Sequence, residues 1–505
     1  MGAYPSSFRM LYFDHNATSP LCPAAREAWL EASERFVGNP SSPHRLGARS
    51  EKALGDARAQ LAEFLGCAPL DIVWTSGATE SNNLVLHHCA RALPGDSEVW
   101  ISAIEHPCLI EATDTHFGDR HQLLPVTSGG VLDLDYLEKE IVRQRPGLIA
   151  VMAANNETGV LQPWAEVQAL CSEHGIPFFC DAAQWVGKLP SASLGDCDFV
   201  SGCAHKFGGP TGVGFLKCPP KGAVHAQLVG GSQEEGRRAG TENVAGVLSM
   251  MAALAQCEAS LANGEEAAKK TMRDNFISRI PEATILGQGE ARLWNTVSAK
   301  LPGDCRARWV VKLDKAGFAV STGSACASGK EAPSHVLKAM GIADEDTDRV
   351  VRFSSGWETI AEDWDALAQG VTQVSADLVA PTLEGDSLGD ERFRKPPWSR
   401  TKAEGRSIAC GYILFIVGTF LLVFGLGMGD SSSESTYDSE RSKQFLKWAL
   451  ASFAFLVLLI VKYKWEMKRE KRDLPERRKA PCYCGSGRIY WVCCDYDERI
   501  YSSDD

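Results

Sequence analysis

Cys197-Asp-Phe-Val-Ser201-Gly-Cys203-Ala-His205-Lys206-Phe-Gly-Gly-Pro-Thr-Gly-Val-Gly214 is the stretch from which the fold can be read. Residues 197–200 form a short strand-like segment, and a glycine-rich loop follows that opens on a lysine. Small residues let an amine come close to a flat molecule, and a partly desolvated lysine can condense with an aldehyde to a Schiff base. A solvated loop lysine has the same local sequence, so this stretch alone leaves both readings open.

Outward from it the text alternates, from about residue 12 to 380. Apolar runs at 72–74, 99–101, 148–152 and 178–179 are separated by Ala-, Leu- and Glu-rich helical patterns, clearest at 24–36, 48–65 and 164–174. Strands alternating with helices predict a parallel sheet covered on both faces. Residues 252–268 read as one long helix leading into a smaller lobe. The 505 residues are 44% hydrophobic and 23% charged, an ordinary globular mix that excludes fibres and wholesale disorder. A formal charge of -12 argues against nucleic acid as a partner. Seventeen Cys, mostly isolated, read as reduced thiols.

Other turns after strands give the lysine company. Asp181 ends the apolar run 177–180, where a buried carboxylate can keep a pyridine nitrogen protonated. Ser76-Gly-Ala78-Thr79-Glu80 follows a strand and starts a helix, a cradle of backbone N–H groups for a phosphate. His106 follows the run at 99–101 and could stack on a ring. Asn155-Asn156-Glu157-Thr158-Gly159 follows the run at 148–152. Ligands of α/β folds sit at such strand ends. A lysine, a carboxylate and a phosphate cradle together point to pyridoxal 5'-phosphate (PLP).

The segments Tyr12-Phe-Asp-His-Asn-Ala-Thr-Ser-Pro, Gly38-Asn-Pro-Ser-Ser, Thr75-Ser-Gly-Ala-Thr-Glu-Ser-Asn-Asn, Glu105-His106, Ala154-Asn-Asn-Glu-Thr-Gly, Asp181-Ala-Ala-Gln, His205-Lys206, Gly240-Thr241-Glu242-Asn243, Ser321-Thr-Gly-Ser-Ala-Cys326 and Arg352-Phe-Ser follow one another in order. Through them, residues 11 to 378 resemble the class V aminotransferase family, and within it the cysteine desulfurases associated with nitrogenase and iron–sulfur clusters. The resemblance implies a type I PLP-dependent transferase fold: a large α/β domain (11–260) with a mostly parallel seven-stranded sheet and a smaller α+β lobe (261–380), working as a homodimer. It implies that Lys206 holds PLP and moves the Cα proton, Asp181 pairs the ring nitrogen, Gln184 bonds the phenolic oxygen and His106 stacks on the ring. Ala78, Thr79, Cys203 and His205 would hold the phosphate, with Thr241 from the other subunit. Asn39, Asn156 and Arg352 would bind the substrate, and Cys326 would take sulfur from L-cysteine as a persulfide and pass it to an acceptor protein for iron–sulfur assembly or another use. A selenocysteine lyase, or a tethered scaffold without turnover, remains an alternative.

Two positions depart from the family pattern. Cys203 stands where relatives usually carry a phosphate-binding Ser, and a thiol is the weaker donor. Trp357 stands where the family segment that begins at Arg352 ends in Arg.

The composition shifts after residue 380. A charged, Pro-containing linker (381–406) leads to two almost wholly apolar stretches, 407–429 and 445–463, each of about the length needed to cross a bilayer core. A polar, Ser-rich loop (430–444) joins them. Six Lys or Arg from Arg392 to Arg406 precede the first stretch, and the basic segment 464–480 follows the second, whereas the loop holds only Arg441 and Lys443. This predicts a membrane hairpin with both ends, and the large N-terminal region, on the cytoplasmic-type side. In the tail (481–496), Cys482, Cys484, Cys493 and Cys494 form two close thiol pairs that could close a tetrahedral zinc site. The pattern resembles the SEC-C zinc motif.

Overall fold

In the computed structural model the described residues are 10–219, 224–323 and 333–379. Cys326, both apolar stretches and the four tail cysteines lie outside them.

The first strand, β1 (Leu11–Tyr12), leads into helices α1 (Pro23–Arg35) and α2 (Arg45–Leu65). Then strands and helices alternate: β2 (Ile72–Thr75), α3 (Ala78–Ala92), β3 (Val99–Ser102), α4 (Pro107–Phe117), β4 (His121–Leu124), α5 (Leu134–Arg143), β5 (Leu148–Ala150), α6 (Trp164–His174), β6 (Phe178–Asp181), β7 (Phe199–Cys203) and β8 (Gly214–Lys217). The seven strands β2 to β8 form one sheet in the order β2-β8-β7-β6-β5-β3-β4, in which β8 alone runs against its neighbours.

The strands read as continuous apolar runs because both faces are covered. Successive side chains point to opposite faces, so Trp100 joins a core with Leu61, Trp74, Ile149 and Phe178. Its neighbours Val99 and Ile101 join another with Leu84, Leu109 and Phe179.

The helical pattern at 252–268 is not one helix. Helix α7 (Val244–Ala262) stops at Asn263, and α8 (Glu265–Ser278) starts after Gly264, whose φ of +72° suits glycine. Among the described residues α7 alone is long and apolar enough to cross a bilayer, yet it lies against α1 and α2 with half its length buried.

The second lobe holds β9 (Thr284–Ile285), β10 (Thr296–Lys300), α9 (Arg306–Lys315), β11 (Phe318–Ala319), α10 (His335–Ala339), α11 (Asp344–Thr347), β12 (Val350–Ser354) and α12 (Ala361–Val379). Its antiparallel sheet β12-β10-β9 packs on Trp309, Phe276 and Trp364. Strand β1 pairs with β11, and Phe13 enters this lobe's core. Asp14, His15 and Asn16 are thereby carried from the second lobe toward the carboxyl ends of the large sheet.

Candidate active site

Those carboxyl ends collect the polar residues. Asp181 is the last residue of β6 and is 5% exposed. Its Oδ2 accepts from Asn82 Nδ2 at 2.7 Å and its Oδ1 from Ala183 N at 3.0 Å. Past the end of β7, Lys206 donates from Nζ to the backbone oxygens of Asn16 (2.6 Å) and Ala17 (2.9 Å). His106 caps α4, its Nδ1 accepting from Cys108 N at 3.2 Å. Burial holds the His106 ring below its ordinary pKa; Asp181 pulls it up, while Lys206 and His335 push it down. Asp181, Lys206 and His106 therefore share one electrostatic site.

The first turn of α3 closes one side, with Ala78 and Thr79 at its start. The Ala78 N–H is directed to the buried Cys203 thiol, which burial pushes up to about 11. Thr79 is hydrogen-bonded to the thiol of Cys108. Behind this turn Glu80 accepts from Ser76 N and is paired through both oxygens with Arg238. His205 is pushed down to about 4 by burial, then by Lys206 and Lys188, and so is neutral at neutral pH. Thr241 is exposed on the turn before α7, and Asn39 is exposed with its side-chain oxygen accepting from Ser41 N. Among the described residues, neither has a hydrogen bond to Asp181, His106 or Asn16.

Opposite lies Arg352 from β12, 1% exposed. Its Nη2 meets Asp14 Oδ1 at 2.6 Å, and its Nη1 donates to the backbone oxygens of Asn156 (3.0 Å) and Gly323 (3.1 Å). Its Nε is buried with no partner among the described residues. A spare donor on a guanidinium that already carries a carboxylate suits a second, exogenous carboxylate.

Reading the sequence gave no role to the residue that joins these groups. The Asn16 backbone oxygen accepts from both Lys206 Nζ and Gln184 Nε2 (2.9 Å). Its side-chain oxygen accepts from Lys188 Nζ and Asn295 Nδ2, each at 3.1 Å, and its amide donates to Asn156 O and Thr296 Oγ1. The signal available was a polar run, Asp14-His15-Asn16, directly after an apolar strand.

The sequence pattern assigns no task to Glu105. It is fully buried, accepts from Met152 N at 2.6 Å through Oε1, and has no partner for Oε2 among the described residues. Burial, and then the Asp181 charge, push its carboxyl well above the ordinary range, which favours its protonated form. A carboxyl that binds its proton more tightly when folded loses stabilisation as pH rises from its unfolded value through its folded one. Glu105→Gln, a close isostere of the neutral acid, is therefore expected to melt near wild type at pH 5 and progressively above it toward pH 9. Parallel melting curves across that range would show that Glu105 is ionised in the fold.

The comparisons with known proteins agree with this architecture. The family described as aminotransferase class-V matches residues 11–367. A protein called cysteine desulfurase IscS from Dictyoglomus turgidum is 37% identical over 367 residues, covering 70% of this chain and 92% of that one. A solved structure called a NifS-like protein superposes with a TM-score of 0.67 at 30% identity, over 73% of this chain and all of its own. A second, SspA in complex with cysteine, does so with a TM-score of 0.61 at 26% identity, over 69% and 100%. The matched span holds every strand of the large sheet and the polar groups at its carboxyl ends: the chain belongs to the class-V aminotransferase family, among its cysteine desulfurases.

Proposed function

We propose that this chain is a PLP-dependent cysteine desulfurase that converts L-cysteine to L-alanine and leaves the sulfur as a persulfide on Cys326. The observation that carries it is the meeting of Lys206, Asp181 and His106 at the carboxyl ends of one sheet, to which both ends of the Cys326 segment are tied. Gly323 O accepts from Arg352, Ser334 Oγ donates to Glu157 Oε2 at 2.7 Å, and His335 Nε2 lies 2.8 Å from Glu105 O. Cys326 follows Gly323 by three residues, about 11 Å of chain at full extension. The cysteine-bound SspA neighbour supports the same substrate.

The donor set fits the cofactor. A lysine amine suits its aldehyde, a buried carboxylate suits its ring nitrogen, an imidazole ring suits stacking on its face, and a helix N-terminus suits its phosphate. Lys206, Asp181, Gln184, His106, Ala78, Thr79, Cys203 and His205 would hold it, with Thr241 from a second copy. When bound, PLP supplies an electron sink for the charge left on Cα.

The chain's own residues do the rest. Arg352 and the Asn156 side chain bind the substrate carboxylate, and Asn39 joins them from its turn. The Lys206 amine takes the Cα proton, and neutral His106 and His205 add no charge to compete with it. The Cys326 thiolate attacks the substrate sulfur. The carbon–sulfur bond breaks and a sulfur–sulfur bond forms, so that cysteine and one protein thiol become alanine and one protein persulfide. An acceptor protein then takes the sulfur.

The apolar stretches 407–429 and 445–463, with their basic flanks, support a membrane tether that leaves this region on the positive-inside side. One set of preparations tests both readings. Full-length protein is expected to sediment with membranes, and a chain ending at residue 379 to be soluble and to turn cysteine into alanine and sulfide. In either, Cys326→Ser keeps bound PLP and loses sulfide release by at least about a hundredfold. Unchanged sulfide release in Cys326→Ser would overturn the desulfurase reading, and a full chain recovered in the soluble fraction would overturn the tether.

A further inference from the structure

Lys188 has no part in the steps above, yet it is the other lysine of the site. It is 3% exposed and follows Gln184 by four residues, within an otherwise apolar segment. Its Nζ donates to Gln184 Oε1 at 2.5 Å and Asn16 Oδ1 at 3.1 Å. Both acceptors are neutral. A buried ammonium without a carboxylate is costly to the fold, so its presence calls for another account.

The two acceptors are the groups that orient the chemistry. With Gln184 Oε1 turned to Lys188, the amide's other end must be a donor, and it already reaches Asn16 O beside Lys206 Nζ. Asn16 is thus gripped by one lysine at its side chain and by the other at its backbone. Both lysines also line a cavity of about 430 Å³ whose wall includes Cys257, Trp294, Trp357 and Glu358.

We propose that Lys188 is a positioning residue: through Asn16 and Gln184 it fixes the Lys206 amine and the donor direction of the Gln184 amide. A Gln184 donor aimed at the phenolic oxygen of the bound cofactor would favour that oxygen's anionic form, so losing its direction would raise the proton affinity of the lysine-bound group. A neutral amine still donates to both acceptors, and the groups facing Lys188 favour that form. Burial, then Lys206 and Arg352, lower its own proton affinity well below the ordinary lysine range, while the thiols of Cys203 and Cys257 act weakly the other way. Glu265 and Glu358 face it only across the cavity.

The inference rests on Lys206 being the PLP attachment point, and the test separates the two. In holoenzyme the visible absorbance of the lysine-bound cofactor is titrated against pH. Wild type is expected to show a band that changes with pH and is missing in Lys206→Ala; without that band the functional reading itself fails. Lys188→Met, of similar length and apolar, is expected to keep the band and move its midpoint up by about one pH unit, a tenfold change in proton affinity. Lys188→Arg, which returns the donors, brings the midpoint back to within about 0.3 unit of wild type. If Lys188→Met does not fold, Lys188→Leu, which is apolar and shorter, carries the same expectation. A midpoint that stays in place while the melting temperature falls would make Lys188 a structural residue and overturn the proposal, as would a shift that Arg fails to reverse.

Discussion

Lys206→Ala is expected to yield a folded protein that is colourless with PLP, shows no pyridoxyl adduct after borohydride reduction, and turns over cysteine at least about a thousandfold more slowly. Two losses combine. In the proposed reading the covalent anchor of the cofactor goes, and so does the amine that would carry the Cα proton. The fold should tolerate the change. Lys206 Nζ is held by two backbone oxygens, Asn16 O and Ala17 O. The first keeps Gln184 Nε2 as a donor. Losing a half-buried ammonium also removes a desolvation penalty, so stability should stay within about 1 kcal/mol of wild type. Peptide mapping after reduction decides the matter. An adduct that persists in Lys206→Ala would move the anchor to another lysine, and Lys188, hydrogen-bonded to the same Asn16, is where to look first.

The parts of this site that were legible in the sequence share a cause. Asp181, His106 and Lys206 each follow an apolar run, and in a sheet covered on both faces such runs are strands whose ends can be read locally. The pattern at 252–268 predicts one helix because Ala and Glu continue through it in composition, while the break depends on the single Asn263–Gly264 step. Asn16 and Lys188 were illegible for another reason. Asn16 acquires its meaning from Asn156, Gln184, Lys188, Lys206 and Asn295, all 140 or more positions away. Lys188 acquires its meaning from burial, and no periodicity marks a lysine that points inward. Asn82 belongs with them. Inside α3 it reads as one more polar helix residue, and only the packing of α3 on the sheet sets its amide against Asp181.

That contact shapes the second large effect. Asp181→Asn is expected to retain the fold and the covalent cofactor and to lose about a hundredfold to ten-thousandfold in kcat. The loss follows from charge. A carboxylate at the ring nitrogen keeps it protonated and able to draw electrons from Cα, whereas a neutral amide does not hold that proton. The fold survives because of an atom that is idle in the wild type. Replacing the carboxylate would set one amide N–H₂ against another at Asn82 Nδ2, but Asn82 Oδ1 is buried without a partner among the described residues. Turning the Asn82 amide over offers that oxygen to the new side chain, so one hydrogen bond replaces another at a net cost of about 1 kcal/mol. The charge loss has a second readout near the site. Asp181 raises both the Glu105 carboxyl and the His106 ring, so in Asp181→Asn the titration of His106, followed by NMR, should move to lower pH. A variant with kcat within tenfold of wild type, or with His106 titrating unchanged, would mean that Asp181 neither faces the ring nitrogen nor governs the field of the site.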